Sequence, residues 1–295
     1  MKHTILYLSF AILYLASCNN KNNKMENEKT STPNDTSYFK SGYSNVNGIK
    51  MYYEVHGDKG EFLVLIHGGG STIGTSFGKI LPMLAKDHQV IAVELQAHGH
   101  TGDRNSPESF EQDADDVAAL LHNLNIPKAS FLGFSNGGNT AMQIAFRHPE
   151  IVNKLILAST FYKREAFPHG FFEGMKQATI KDMPEALRNA FLKINPDSNS
   201  LLTMFNKDRE RMVQFKDWKD ETISSIKAPT LIIDGDHDVI SPEHAIAMSR
   251  LIVNSRLMIL PATHGSYMGA AESPEPGSKM PEMTVEIIEE FLNKQ

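Results

Sequence analysis

Apolar residues fall along this chain in short unbroken runs, separated by longer stretches of helical periodicity, and that rhythm predicts the fold. Residues 62–66 form a continuous apolar run, too short for a helix and therefore a strand buried on both faces. Runs at 90–93, 129–134, 155–158, 230–233 and 257–260 have the same character. Before them, Asn47-Gly48 is a hairpin turn signal, and Ile49, Met51, Tyr53 and Val55 alternate with their neighbours as one face of a strand does. Between the runs lie helical patterns. The clearest spans 108–124, with Val117, Leu120, Leu121 and Leu124 as its stripe and Asp113, Asp115 and Asp116 on other faces. Strands alternating with helices predict an α/β fold, a mostly parallel sheet with helices on both faces. A final helix over 282–293 carries Val285, Ile288 and Leu292 towards that sheet.

The rhythm breaks between 161 and 227. That stretch predicts helices instead of strands, one from Pro184 with Asp182 or Met183 near its N-cap, and one over 200–215. It is rich in Phe and Met, which supply a core for this insertion and an adaptable apolar pocket wall.

Residues 1–18 stand apart from the domain. Lys2 precedes an apolar run over 5–15, too short to span a bilayer but right for a signal peptide. Leu15-Ala16-Ser17-Cys18 follows and resembles a bacterial lipoprotein signal, which implies cleavage before Cys18 and acylation of its thiol. Residues 1–17 are thus read as a signal peptide and 18–42 as a lipid-anchored flexible tether, polar and almost free of apolar residues from 19 to 36. Cys18 is the only cysteine, so the folded part has no thiol and no disulfide. The expected address is the cell envelope, on a membrane held by the lipid. At 295 residues and 41% apolar content the chain has material for one large domain, over 43–295. A net charge of −6 offers no basic footprint for nucleic acid.

The chemistry centres on Gly133-Phe134-Ser135-Asn136-Gly137. It follows the 129–134 run and precedes a helical segment over 139–147, the strand–turn–helix setting of a nucleophile elbow. A serine needs a base, and the base a third group to orient it. In elbow proteins the order along the chain is Ser, acid, His. After the 230–233 strand come Asp234, Asp236 and Asp238. We read Asp238 as the acid and keep Asp236 as the alternative, since an aspartate in a turn commonly folds onto backbone N–H groups. Of the twelve histidines, His264 alone lies past the last strand in a loop of small residues, so it is the base. His67 is its strongest rival, but a role in shaping the adjoining glycine loop fits it better. Gly68-Gly69-Gly70 lets backbone N–H groups approach a substrate oxygen, and the N–H of Asn136 supplies a second oxyanion donor.

These motifs, with Glu94-Leu95-Gln96-Ala97-His98-Gly99-His100-Thr101, resemble the α/β-hydrolase superfamily over 43–295. The resemblance implies Ser135 as nucleophile, Asp238 as acid, His264 as base, Gly69 as first oxyanion donor, 161–227 as a helical cap, and no cofactor. Two departures stand out. The family often has Asp-x-x-Gly-x-Gly where this chain has Glu94-Leu95-Gln96-Ala97-His98-Gly99, and the loop after His264 is long.

The resemblance implies hydrolysis of an ester, thioester or lactone. A carbon–carbon bond hydrolase or a cofactor-free haloperoxidase keeps the same serine. A dehalogenase or epoxide hydrolase needs an aspartate at the elbow, which Ser135 replaces. A metal hydrolase lacks a second ligand cluster beside His98-Gly99-His100, so no metal is expected. A silent surface-binding protein would have no need of an intact triad.

Overall fold

The computed structural model describes residues 39–294. The expected signal peptide, the expected lipidation site at Cys18 and most of the segment read as a tether lie outside the described residues. Eight strands form one sheet: β1 (Phe39–Val46), β2 (Ile49–His56), β3 (Phe62–Ile66), β4 (Gln89–Val93), β5 (Ala129–Phe134), β6 (Val152–Ala158), β7 (Thr230–Gly235) and β8 (Ser255–Leu260). Their spatial order is β1-β2-β4-β3-β5-β6-β7-β8, antiparallel as far as β4 and parallel beyond it. β1 begins at Phe39, inside the segment assigned to the tether. It is an edge strand whose side chains are mostly exposed, so no apolar alternation marks its start.

Along β3, Val64 and Ile66 enter one core and Leu63 and Leu65 the other, which explains the unbroken run. Helices α1 (Ile73–Phe77), α2 (Leu81–Leu84) and, at the end of the chain, α10 (Met280–Asn293) cover the Leu63 face. Helices α3 (Phe110–Asn123), α4 (Asn136–Arg147) and α9 (Pro242–Leu251) cover the other. The chain therefore leaves β3 towards one face and β5 towards the opposite face. The crevice opened beyond their carboxyl ends is where open α/β sheets hold ligands. Between β6 and β7 the cap contributes α5 (Phe171–Gln177), α6 (Glu185–Ile194), α7 (Ser198–Gln214) and α8 (Asp220–Ser224), with two small apolar cores of its own.

Three local expectations need correction. Pro184, not Asp182 or Met183, is the N-cap of α6; Asp182 instead accepts the N–H and hydroxyl of Thr179. Helix α7 starts earlier, because Asp197 caps it by accepting the N–H groups of Asn199 and Ser200. In α3, Asp113 and Asp116 are buried. They lie four residues before Val117 and Leu120, so helical geometry puts them on the inward side with the apolar stripe. Arg211 and Arg104 meet them there at 2.7 and 2.6 Å.

Candidate active site

Ser135 sits at the junction of β5 and α4 with φ 53° and ψ −122°, a left-handed conformation costly for any residue with a β-carbon. Surrounding contacts enforce it. Its N–H donates to Ala158 O at 2.8 Å, and the Thr160 hydroxyl donates to its carbonyl at 3.3 Å. A β-carbon at Gly137 would lie 2.1 Å from Ile66 O, and one at Gly133 2.3 Å from Gly137 O, so only glycine allows the helix to pass this close to β3. The buried Asn139 ties α4 to the end of β6 through the Phe161 carbonyl, 2.7 Å away, and the Thr160 hydroxyl.

Asp238 and His264 come from the loops after β7 and β8. His264 Nδ1–H donates to Asp238 Oδ1 at 2.7 Å. The other carboxylate oxygen accepts the Ser159 hydroxyl at 2.6 Å, and Oδ1 also accepts the Ile240 N–H at 3.0 Å. Since Ser159 donates its proton to Asp238, Tyr267 is the donor in its 2.8 Å contact with Ser159. Asp236 lies elsewhere, exposed in its turn and accepting the Ala262 N–H at 3.0 Å. Asp234 is buried below; one oxygen accepts the Gly235 N–H and the other has no partner among the described residues.

Ser135 and His264 open onto one cavity of about 320 Å³, bordered also by Gly69 and Asn136. Among the described residues the N–H groups of Gly69 and Asn136 are not taken up by any acceptor. The cap closes the cavity with Phe167, Phe171, Met175, Met183, Leu187 and Met204. His67 donates from Nδ1 to Gly68 O at 2.7 Å and accepts the Leu95 N–H at Nε2 at 3.1 Å, which fixes the glycine loop and the ring's tautomer. Burial, with the charge of His98 nearby, lowers its pKa to about 3.

The description of an α/β-hydrolase-fold family matches residues 61–201, from β3 through the elbow into the cap. The human serine hydrolase BPHL is 28% identical over 228 residues, covering 73% of this chain and 77% of its own. The 2-hydroxy-6-oxo-6-(2'-aminophenyl)hexa-2,4-dienoic acid hydrolase of Metapseudomonas resinovorans is 25% identical, covering 84% and 91%. A crystal structure of a serine hydrolase involved in carbazole degradation superposes with a TM-score of 0.71 at 22% identity, covering 86% of this chain and 99% of that one.

The chain belongs to the α/β-hydrolase superfamily. Within this hydrolase the family match stops before β7, so Asp238 and His264 stand on the geometry alone.

Electrostatics separate the carboxyl groups of the hydrolase. Burial pushes Asp234 up to about 9, helped by the negative Asp238 beside it, so it keeps its proton at neutral pH. Burial alone would raise Asp238 too, but His264, the Ile240 N–H and the Ser159 hydroxyl hold it below its ordinary value. Burial opposes charging of His264, and the hydrogen bond and charge of Asp238 more than offset that, so its pKa is raised.

Both departures from the family pattern have a structural account. Glu94 is buried and accepts the N–H and Nδ1–H of His100, at 2.6 and 2.8 Å, which closes the loop after β4. Ala97 stands in a left-handed conformation, φ 63°, where the family has glycine. The long loop after His264 turns through Ser266–Met268 and is tied to α1 by the Ala271 N–H on Thr75 O at 2.9 Å.

Sequence reasoning missed Ser159, Tyr267 and Asp208. Ser159 had a visible signal, a polar residue just past the carboxyl end of a parallel strand. Asp208 and Arg211 recur with Leu201, Met204 and Met212 on the buried side of α7, where a charge implies a partner. The cap therefore contains a buried charged cluster.

Proposed function

We propose that this hydrolase cleaves an ester, thioester or lactone through an acyl-enzyme on Ser135. The observation that carries the reading is the Asp238–His264 pair at 2.7 Å, opening with Ser135 onto a cavity bordered by the free N–H groups of Gly69 and Asn136. His264 Nε2 takes the Ser135 proton as Oγ attacks the acyl carbon. The oxyanion gathers the two N–H groups, each worth roughly 10² to 10³ in rate. His264 then returns the proton to the leaving oxygen or sulfur, and water attacks the acyl-enzyme with the same base. Apolar cap side chains favour an apolar acyl or leaving group. Among the described residues Ser135 Oγ makes no hydrogen bond to His264; such contacts often close only when substrate binds.

A fluorophosphonate probe tests the reading, followed by a panel of p-nitrophenyl esters and lactones of graded length. Labelling at Ser135 with turnover of the panel is expected; an unlabelled, folded protein would sink it. A second reading, carbon–carbon bond hydrolysis, is favoured by the dienoic acid hydrolase that aligns over 84% of the chain. Labelling of Ser135 without ester turnover, but with loss of the absorbance of a 2-hydroxy-6-oxo-dienoic acid, would select it.

We propose further that Cys18 anchors the protein to a membrane of the cell envelope. Its support is the Leu15-Ala16-Ser17-Cys18 box after an apolar run. Incorporation of a palmitate analogue into the wild type, absent in Cys18→Ser, is the expected result. Unlabelled protein released in soluble form would mark an ordinary secretion signal.

A further inference from the structure

Helix α7 of the cap presents a carboxylate to the loop that carries the first oxyanion donor. Asp208 Oδ2 accepts the Gly70 N–H and the Nε2–H of His98, the latter at 2.9 Å, while Oδ1 meets the Arg211 guanidinium. Arg211 continues to Asp113 at 2.7 Å, with Glu108 at 3.8 Å. All of these side chains are buried. Asp208 borders the cavity, yet three of its acceptor positions are already filled, so it has little left to offer a substrate.

The loop needs such an anchor. Gly68 is pinned by its carbonyl, which accepts from His67 and from the Ser71 N–H at 3.3 Å, and by its own N–H on Ser76 Oγ at 3.3 Å. The peptide between Gly69 and Gly70 has no comparable backbone partner. Its carbonyl receives only a 3.5 Å contact from Ser71 Oγ, and its N–H goes to Asp208, with His98 Nε2 also 3.2 Å away. Gly70 stands at φ +67°, and in a run of three glycines sterics do little to choose a peptide's orientation. The fit is close on both sides: a β-carbon at Gly69 would lie 2.5 Å from Asn136 Nδ2 and 3.3 Å from Asp208 Oδ2.

We propose that Asp208 is a positioning residue through which the cap sets the oxyanion hole. With α7 seated, its carboxylate fixes the Gly69–Gly70 peptide and so holds the far side of Gly69, while His67 and Ser71 hold the Gly68 carbonyl and with it the plane of the Gly69 N–H. His98 and Arg211 keep that carboxylate ionised and in place. Movement of α7 away from the loop would remove the anchor, so the hole is complete only while the cap is seated. The proposal rests on the acyl-enzyme reading of Ser135.

The test compares the wild type with Asp208→Asn and with the double variant Asp208→Asn/Arg211→Gln. The double variant removes one anion and one cation together and so leaves the net charge of the cluster unchanged. Serines competent for acylation are counted by exhaustive fluorophosphonate titration, and kcat is expressed per titrated serine. Misplacing an oxyanion donor predicts a fall in kcat of about 10- to 100-fold, with KM changed by less than about threefold. Affinity for an arylboronic acid, which mimics the tetrahedral intermediate, should fall by the same factor, while affinity for the product acid stays. Unchanged kcat per titrated serine overturns the proposal, as does a rise in KM alone, which would make Asp208 a substrate contact. In the wild type, amide exchange at Gly70 gives an independent reading: strong protection in the boronic acid complex is expected, and rapid exchange there overturns the proposal. If the wild type does not titrate at all, it is the acyl-enzyme reading that fails.

Discussion

Two buried clusters of charge flank Ser135, and they are assembled on opposite plans. On the sheet side, Asp238 holds one negative charge against the His264 ring, while its neighbour Asp234 keeps a proton until about pH 9. The far side of that ring faces the cavity and is free to exchange a proton. On the cap side, Asp208 is surrounded by Gly70, His98 and Arg211. Burial disfavours charge on His98, but Asp208 outweighs it and lifts the ring to about 9, so this histidine stays charged through the neutral range. Burial and strongly shifted proton affinity are common to both. The difference lies in what faces the cavity: the sheet cluster presents an open ring nitrogen there, whereas the Asp208 carboxylate of the cap cluster is already bonded to Gly70, His98 and Arg211. One plan suits moving a proton, the other suits holding a loop still.

Substitutions should separate the two. The largest effect belongs to the sheet side: Ser135→Ala and His264→Ala are expected to reduce ester turnover by about 10⁶, measured as kcat on a p-nitrophenyl ester with the fold checked by circular dichroism. Asp238→Asn should cost about 10⁴ in kcat, and Asp236→Asn far less, because its carboxylate serves the Ala262 N–H and not the histidine. The reverse order would move the acid to Asp236.

Breaking the cap cluster should show up first in stability. Arg211→Met leaves Asp208 and Asp113 without their shared cation and is expected to lower unfolding free energy by about 3–5 kcal/mol, read from a urea titration. Asp238→Asn should be milder by that measure.

Proton affinity sharpens the contrast further. His264 must be neutral to accept the Ser135 proton, and its pKa is raised, so the rising limb of kcat/KM should lie above the ordinary value of ~6.5. With Asp238→Asn, burial remains and the raising charge is gone, so the residual activity should have its limb displaced to lower pH. A limb that stays where it was would show that Asp238 does not act on His264. The smallest effect is expected of Ser159→Ala, a fall of about threefold to tenfold, on the order of one ordinary hydrogen bond, with kcat reporting it and KM unmoved.

Much of this architecture was legible in the chain. Short apolar runs marked β3 and β5 to the residue, because strands buried on both faces take mostly apolar side chains, Ser130 being the one polar residue in β5. Strand ends were less visible: Val152–Ala158 begins three residues before its apolar run, and Ser255 and Arg256 open β8, because ladder hydrogen bonds extend past the buried part. Helices α5 and α8 are too short to show a stripe. At the site, chain order and turn chemistry pointed to Ser135, Asp238 and His264, of which the structure joins Asp238 to His264 and opens His264 and Ser135 onto one cavity. Asp208 escaped because its meaning depends on Gly70, 138 residues away, and no local pattern encodes a contact of that range.

The sheet order has a consequence for when activity can appear. The elements of the site follow β3, β5, β7 and β8, so the groups that must converge are drawn from residue 69 to residue 264, across most of the folded chain. No partial assembly contains a nucleophile, a base and an oxyanion pocket together. Parallel pairings of this kind form late, since loop closure must come before the contacts that reward it. A chain cut short before β8 has Ser135 but no base to activate it. The site is therefore complete only once β8 has joined the sheet and brought His264 beside Asp238.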